Sequence, residues 1–433
     1  MLNIRRNVIF SFIEISTNTL LTFISYRLVL RLGGFELLGI WSALLAWIGL
    51  SRLGDFGLGG AATRFVAALD VRSDRERICR YIDTAIISNA VLISALTFLS
   101  YLAVSHWLVL AVGAANVAVA QPALPWLMAA VIATNLCLII TSSLFSLHLG
   151  YIRSIIMISG NVLQLGLVVW LVPRYGLPGF AGAQIIQYSF AGVVAWIAIC
   201  VQLGKLRLPF AFRWVVLREM LNVSMMLQAA NIANGLFEPL SKVMVSHFGG
   251  MQMQGLFEAA YKTVWTARNI SSNTATAVIP AITRYVQTDI PAAQRLYFQT
   301  RRNIVVSMAL ILGGVVVASP VISLLWFKAL NVRFVEFVAL LAIGCAFGGW
   351  CTPAYNLGQA TGKLKGVVIT MVASDVLLLA GGLGFGLAGM PFMIVVATTA
   401  GMILTSVMVI RFNEPLIGLR GASFGGLFGA RAR

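Results

Sequence analysis

Six basic side chains stand inside apolar stretches of this 433-residue chain: Arg27, Arg52, Arg64, Lys242, Lys262 and Arg268. A cation at a lipid-facing helix centre costs about 2.5–3.5 kcal/mol, so six of them must face protein or water. Guanidinium groups grip phosphate oxygens through a planar fork, and ammonium groups act as point charges. The chemistry on offer is recognition of an anion within a membrane. Arg268 has no acid at helical spacing, and with Arg52 it is the leading candidate for substrate contact, followed by Arg27 and Lys242. A plainer reading stands beside this one. Glu238 with Lys242 and Glu258 with Lys262 are spaced i,i+4, and Arg52 with Asp55 i,i+3, as structural ion pairs on one helix are. Arg64 and Arg27 stand near span ends, from which long side chains reach the interface.

Four acids within or at the edges of the apolar stretches, Glu14, Asp55, Glu238 and Asp375, are candidates for carrying H+ or Na+ during a transport cycle, or for neutralising the arginines. Asp375 has no cation within its own stretch. Pro239, beside Glu238 and close to Asn231 and Asn234, suggests a kinked helix with a polar interior.

Enzymatic chemistry is not indicated. The nearest approach to a phosphate-binding loop, Gly358 to Leu364, has the wrong spacing and a leucine where a Mg2+-binding hydroxyl belongs. His106, His148 and His247 are scattered, and Cys79, Cys137, Cys200, Cys345 and Cys351 form no metal or disulfide pattern. The longest segment expected outside, about 105–123, is mostly Ala and Val without an acid, a poor platform for an acceptor site. No cofactor or metal is expected beyond a coupling ion.

The elements that must position these residues are membrane helices. The chain is 59% apolar and 10% charged, with mean hydropathy +0.91, which places it in a bilayer. At about 20 residues per crossing, twelve spans are read: 8–30, 37–62, 82–104, 124–147, 154–172, 180–201, 221–247, 255–280, 303–325, 336–359, 366–385 and 392–410. The first follows Arg5 and Arg6 as a signal peptide would, but Glu14 and Asn18 interrupt it and it is read as a span. The net charge of +17 follows the same topology. Arg72 to Arg80, Lys205 to Arg218 and Arg284 to Arg302 cluster on one side, where 21 of the 31 Lys and Arg fall, whereas only Arg31, Arg174, Lys328 and Arg333 fall on the other. The positive-inside rule then puts both termini in the cytoplasm and makes the basic surplus a matter of orientation, with no call for nucleic acid.

A shift of 216 residues superimposes the first two spans on the seventh and eighth. Asn18 meets Asn234, Ser25 meets Ser241, Val29 meets Val245 and Arg52 meets Arg268, and Gly33-Gly34-x4-Gly39-Ile40-Trp41 meets Gly249-Gly250-x4-Gly255-Leu256-Phe257. At nearly the same shift Gly150-x2-Arg153 echoes Gly362-x2-Lys365, and Gly176-Leu177-Pro178-Gly179 echoes Gly386-Leu387-Ala388-Gly389. The expected architecture is therefore all-α and integral to the membrane. A six-helix bundle over 1–203 and a second over 221–411 are related by a pseudo-two-fold axis normal to the membrane, with a basic linker over 204–220 and a tail over 412–433. All six in-span cations lie on the duplicated spans, which predicts a central cationic cavity.

Arg5-Arg6-Asn7, Arg31-Leu32-Gly33-Gly34-x4-Gly39-Ile40-Trp41, Leu53-Gly54-Asp55-Phe56-Gly57-Leu58-Gly59 with Arg64-Phe65-Val66-Ala67, and Tyr175 to Ala183 together resemble the Wzx-type polysaccharide transporters. These are the lipid-linked oligosaccharide flippases of the multidrug/oligosaccharidyl-lipid/polysaccharide (MOP) exporter superfamily. The resemblance implies that an undecaprenyl-diphosphate-linked oligosaccharide is flipped from the cytoplasmic to the periplasmic leaflet of a bacterial inner membrane by alternating access. The diphosphate would meet the basic cavity and the prenyl tail would stay in lipid. It also implies sugar contacts at Asn18, Gln228, Asn231 or Asn234, and a polysaccharide polymerase and chain-length regulator as partners. The alternatives are a cation-coupled multidrug exporter of the same superfamily, whose cationic substrates suit an acidic cavity better, and a membrane polysaccharide polymerase or ligase.

Overall fold

The computed structural model describes residues 4–49, 58–67, 69–70, 73–147, 149–204, 207–276, 285–286, 289–361 and 365–419. They are helical almost throughout, because a backbone in hydrocarbon has no water to satisfy its N–H and C=O groups and must close its hydrogen bonds within the segment. The principal helices are α1 (Ile4–Gly49), α2 (Leu58–Ala67), α3 (Arg75–His106), α4 (Leu124–Ser146), α5 (Gly150–Gln202), α6 (Trp214–Thr276), α7 (Ile290–Phe327), α8 (Val332–Thr361), α9 (Lys365–Leu387) and α10 (Phe392–Asn413). Polar residues inside them are satisfied locally: Thr134, Thr141, Thr370 and Thr398 each donate to the carbonyl four residues back. Val91, Phe98, Val193, Leu310 and Val317 instead stand exposed on helix faces, as lipid-facing residues do.

Three helices are too long to be single crossings. α6 has 63 residues, about 95 Å if straight, against a hydrocarbon core of about 30 Å. Each of the three is broken at a glycine with positive φ: Gly34 in α1 (64°), Gly176 in α5 (60°) and Gly250 in α6 (74°). A residue with a Cβ is strained in that region, so glycine permits the reversal. The reversal in α6 is visible in its contacts, because Lys242 and Glu258 lie 2.8 Å apart although a straight helix would hold them about 24 Å apart. α1, α5 and α6 thus carry the expected spans one and two, five and six, and seven and eight. The architecture is an all-α integral membrane fold, and seven stretches among the described residues are long and apolar enough to cross by themselves.

The chain divides into two compact units, Met1–Ile232 and Ala233–Arg433. In the first, α4 and α1 pack on α5, and α3 packs on α4; in the second, α8 and α9 pack on α10, and α7 on α8. Trp41 lies on Phe180 at 4.6 Å in the first core, and Phe257 meets Phe337 at 6.4 Å in the second. Buried positions repeat at the 216-residue shift: Ser25 with Ser241, Val29 with Val245, Trp41 with Phe257 and Ala43 with Ala259 are all buried. The turn glycines Gly34 and Gly250 also share one conformation, with ψ at −161° and 174°.

Of the span read over 37–62, residues 37–49 and 58–62 are helical, in α1 and α2, and the rest lies outside the described residues. The segment 105–123 is a string of short helical turns that includes Leu108–Val112 and Val117–Ala120, with Ala111, Val112, Ala120 and Ala123 buried. The segment read only as lying outside thus packs its small apolar residues as helix. In the second glycine echo, the roles are exchanged. Gly176 makes the turn while a Cβ on Gly179 would meet the Leu171 carbonyl oxygen at 2.5 Å; in the other copy a Cβ on Gly386 would meet the Phe248 ring at 2.3 Å while Gly389 makes the turn.

Candidate functional site

α6 carries four of the charged candidates, Glu238, Lys242, Lys262 and Arg268. Lys242, only 3% exposed, lies between two carboxylates, Glu238 at 2.7 Å on its own limb and Glu258 at 2.8 Å on the returning limb. A buried ammonium needs such compensation, because desolvating a lone charge costs several kcal/mol. Glu258 therefore serves the first limb of α6, whereas the i,i+4 spacing pointed to Lys262. Along the second limb an aromatic ladder continues from this cluster. The Lys242 ammonium stands 5.3 Å from the Tyr261 ring centre, Tyr261 stacks on Trp265 at 5.1 Å, and the Arg268 guanidinium lies 4.4 Å over Trp265.

Arg268 makes no ion pair with any described residue. Its Nε is buried without a hydrogen-bond partner, and its guanidinium lies against Gly348 of α8, 3.7 Å from where a Cβ would stand. It is a half-buried cation held by an aromatic face and a bare helix backbone, with its Nε donor unused. The Tyr261 hydroxyl beside it is likewise buried without a partner. Tyr261 and Trp265 were not singled out from sequence, although their i,i+4 spacing next to Arg268 was the available signal.

Lys262, next to Tyr261 on the second limb, also acts on Glu238 through its charge. Arg27 is half-buried on α1, with its Nε also lacking a partner. Lys262 is half-buried. Glu14 is tied to Arg153, which lies 3.0 Å from both carboxylate oxygens and 4.8 Å from the Phe145 ring. Asp375 is buried on α9, with Oδ2 lacking a partner. Asn18 is exposed. Arg52 and Asp55 lie outside the described residues, as do the side chains of Arg64, Gln228, Asn231 and Asn234. All five cysteines are free thiols, and among the described residues no three His, Cys, Asp or Glu side chains converge as a metal site.

Two further clusters tie helix ends. In the first unit the Arg207 guanidinium forks onto Asp83 at 2.5 and 2.7 Å, and the Tyr81 hydroxyl donates to Glu219 at 2.8 Å. Burial works against the Arg207 charge, but the hydrogen bonds and charge of Asp83 outweigh it and hold the group above its ordinary pKa. In the second, Arg301 and Tyr297 both donate to Glu414, at 2.8 and 3.0 Å, and Arg301 lies 4.8 Å from the Trp350 ring centre.

The fold that carries these features is that of the MOP superfamily transporters. An inward-facing multidrug resistance MATE family transporter matches with TM-score 0.77 at 13% identity, over 92% of this chain and 95% of that one. A MOP superfamily transporter from Pyrococcus furiosus, described by the reverse polarity of its binding pocket, matches with TM-score 0.70 at 14% identity over 96% and 95%. The lipid II flippase MurJ in an inward closed conformation matches with TM-score 0.69 at 15% identity over 94% and 87%. No protein-family model and no curated protein sequence matches the chain. At these identities the likeness establishes a shared fold, that of multi-pass membrane transporters.

Proposed function

We propose that the chain is a flippase that moves an undecaprenyl-diphosphate-linked oligosaccharide, the repeat unit of an O-antigen, capsule or exopolysaccharide, from the cytoplasmic to the periplasmic leaflet. The observation that supports it most directly is Arg268: a half-buried guanidinium within a membrane fold, without an acid partner among the described residues, and with an unused donor. A forked donor of that kind suits a phosphate group, and the neighbouring faces of Trp265 and Tyr261 suit the apolar faces of sugar rings. In this reading the prenyl tail stays in lipid. Asp375 or the Lys242 cluster couples H+ or Na+. The flippase MurJ, which has this fold, is named for a lipid-linked substrate. Synthesis partners such as a polymerase and a chain-length regulator belong to the same reading, as does the inner-membrane setting with both termini inside.

A second reading, cation-coupled drug export, is favoured by one observation. Glu238 and Glu258 converge in the buried interior of α6, an acidic pair that an organic cation could approach. The two readings separate on substrate. Purified protein in sealed proteoliposomes is offered an undecaprenyl-diphosphate oligosaccharide and, separately, fluorescent organic cations under imposed H+ and Na+ gradients. Flipping of the first supports the flippase; gradient-driven movement of the second alone rejects it.

A further inference from the structure

At the end of the first unit that the charge distribution assigns to the cytoplasm, α3 and the chain following α5 enclose a pocket of about 640 Å³. Four arginines line it, Arg75, Arg80, Arg207 and Arg213. Two are already compensated: Arg80 by Glu76 at 2.6 Å, and Arg207 by the fully buried Asp83. Arg75 and Arg213 form no ion pair with any described residue. The pocket thus keeps two uncompensated guanidinium groups.

The pocket is constructed rather than incidental. Asp83 accepts from the Ala211 N–H at 3.0 Å as well as from Arg207, Thr84 accepts from the Arg213 N–H at 3.1 Å, and the Trp196 indole donates to the Arg207 carbonyl at 2.8 Å. These bonds fix the backbone that carries Arg213. Arg75 has its own seat, because its Nη1 lies 3.1 Å from where a Cβ on Gly204 would stand, and Gly204 has a φ of +68°. Beside the cations the same segment turns apolar rings outward, with Phe210 77% and Trp214 67% exposed. In water that exposure is unfavourable; at a bilayer surface aromatic rings settle at headgroup level, and basic clusters attract anionic lipids.

We infer that this pocket binds the phosphate of an anionic phospholipid headgroup, held by Arg75 and Arg213, with Phe210 and Trp214 set among the lipid's glycerol and upper acyl groups. The site holds a lipid of the surrounding leaflet and is separate from the Arg268 region, so it stands whatever the protein transports. Each guanidinium–phosphate contact is a charge-assisted hydrogen bond, and loss of both weakens binding about tenfold or more.

The test uses the full chain in nanodiscs of phosphatidylcholine with increasing phosphatidylglycerol. Retained lipid is counted by native mass spectrometry and the unfolding midpoint is followed in parallel. Phosphatidylglycerol is expected to be retained and to raise the midpoint. Arg75→Gln/Arg213→Gln is expected to abolish both effects while keeping the phosphatidylcholine midpoint of the parent. Arg302→Gln, an exposed arginine outside the pocket, should leave both unchanged. Equal retention of phosphatidylglycerol by the double variant, or equal retention of phosphatidylcholine by the parent, overturns the proposal. So does a midpoint that rises with inorganic phosphate in phosphatidylcholine but not with phosphatidylglycerol, which would assign the pocket to a soluble anion.

Discussion

Tyr81 and Tyr297 stand 216 residues apart, the interval that also relates Gly34 to Gly250, and each donates its hydroxyl to a glutamate distant in sequence, Glu219 near the start of α6 at 2.8 Å and Glu414 directly after α10 at 3.0 Å. The surrounding partners have diverged. The first copy pairs Arg207 with Asp83, and the second pairs Arg301 with Glu414 itself. The tyrosines keep the 216-residue interval, whereas their glutamates, 138 and 117 residues further on, do not.

These contacts predict unequal costs. Tyr81→Phe should lower stability by about 1 kcal/mol, the net value of one hydrogen bond. Glu414→Gln should cost about 3–5 kcal/mol, because it strips the charge that compensates buried Arg301. Thermal unfolding of the purified variants in detergent measures both; a Glu414→Gln midpoint equal to that of Tyr81→Phe would mean that the Arg301 pair contributes little.

The Lys242 cluster predicts non-additivity. Lys242→Met removes the ammonium held between Glu238 and Glu258 and should cost about 3–5 kcal/mol. Adding Glu238→Gln and Glu258→Gln should recover most of that loss, since the carboxylates no longer need a partner. If the triple variant recovers stability but stays inactive in transport, the cluster has a role in the cycle; recovery of both makes it structural.

The turn glycines give a backbone test. No atom stands within 4 Å of a Cβ on Gly34 or Gly250, so alanine at either meets only conformational strain, about 1–2 kcal/mol. Gly60 is equally open but helical, and alanine there should be neutral or mildly stabilising. Equal unfolding midpoints for Gly250→Ala and Gly60→Ala would contradict the reversal at Gly250.

A diphosphate moving outward carries negative charge down an inside-negative potential, worth about 2.3 kcal/mol per charge per 100 mV. Initial flipping rates in proteoliposomes should rise when such a potential is imposed; rates indifferent to it would show that the outward step carries no net charge.

Much of the fold was legible because hydropathy and bilayer thickness leave few choices: apolar runs become helices, and Gly34, Gly176 and Gly250 mark reversals. The short helical turns over 105–123 were hidden, because Ala and Val there mark no amphipathic face. At the site, the pairing of Lys242 with Glu238 follows from i,i+4 spacing, whereas its contact with Glu258 depends on how the limbs of α6 fold back, which no local spacing encodes. Tyr261 and Trp265 carry no charge and drew no attention in the sequence, and their role rests on Arg268 lying over the second of them.

The most direct test of the account is translocation of a labelled undecaprenyl-diphosphate oligosaccharide by sealed proteoliposomes that contain the parent chain, Arg268→Lys or Arg268→Ala. The account predicts flipping by the parent, a partial rate with lysine, which keeps the charge but loses the fork, and none with alanine at equal protein incorporation. Full activity of Arg268→Ala would remove this residue from the site, and no flipping by the parent together with gradient-driven efflux of organic cations would contradict the flippase assignment itself.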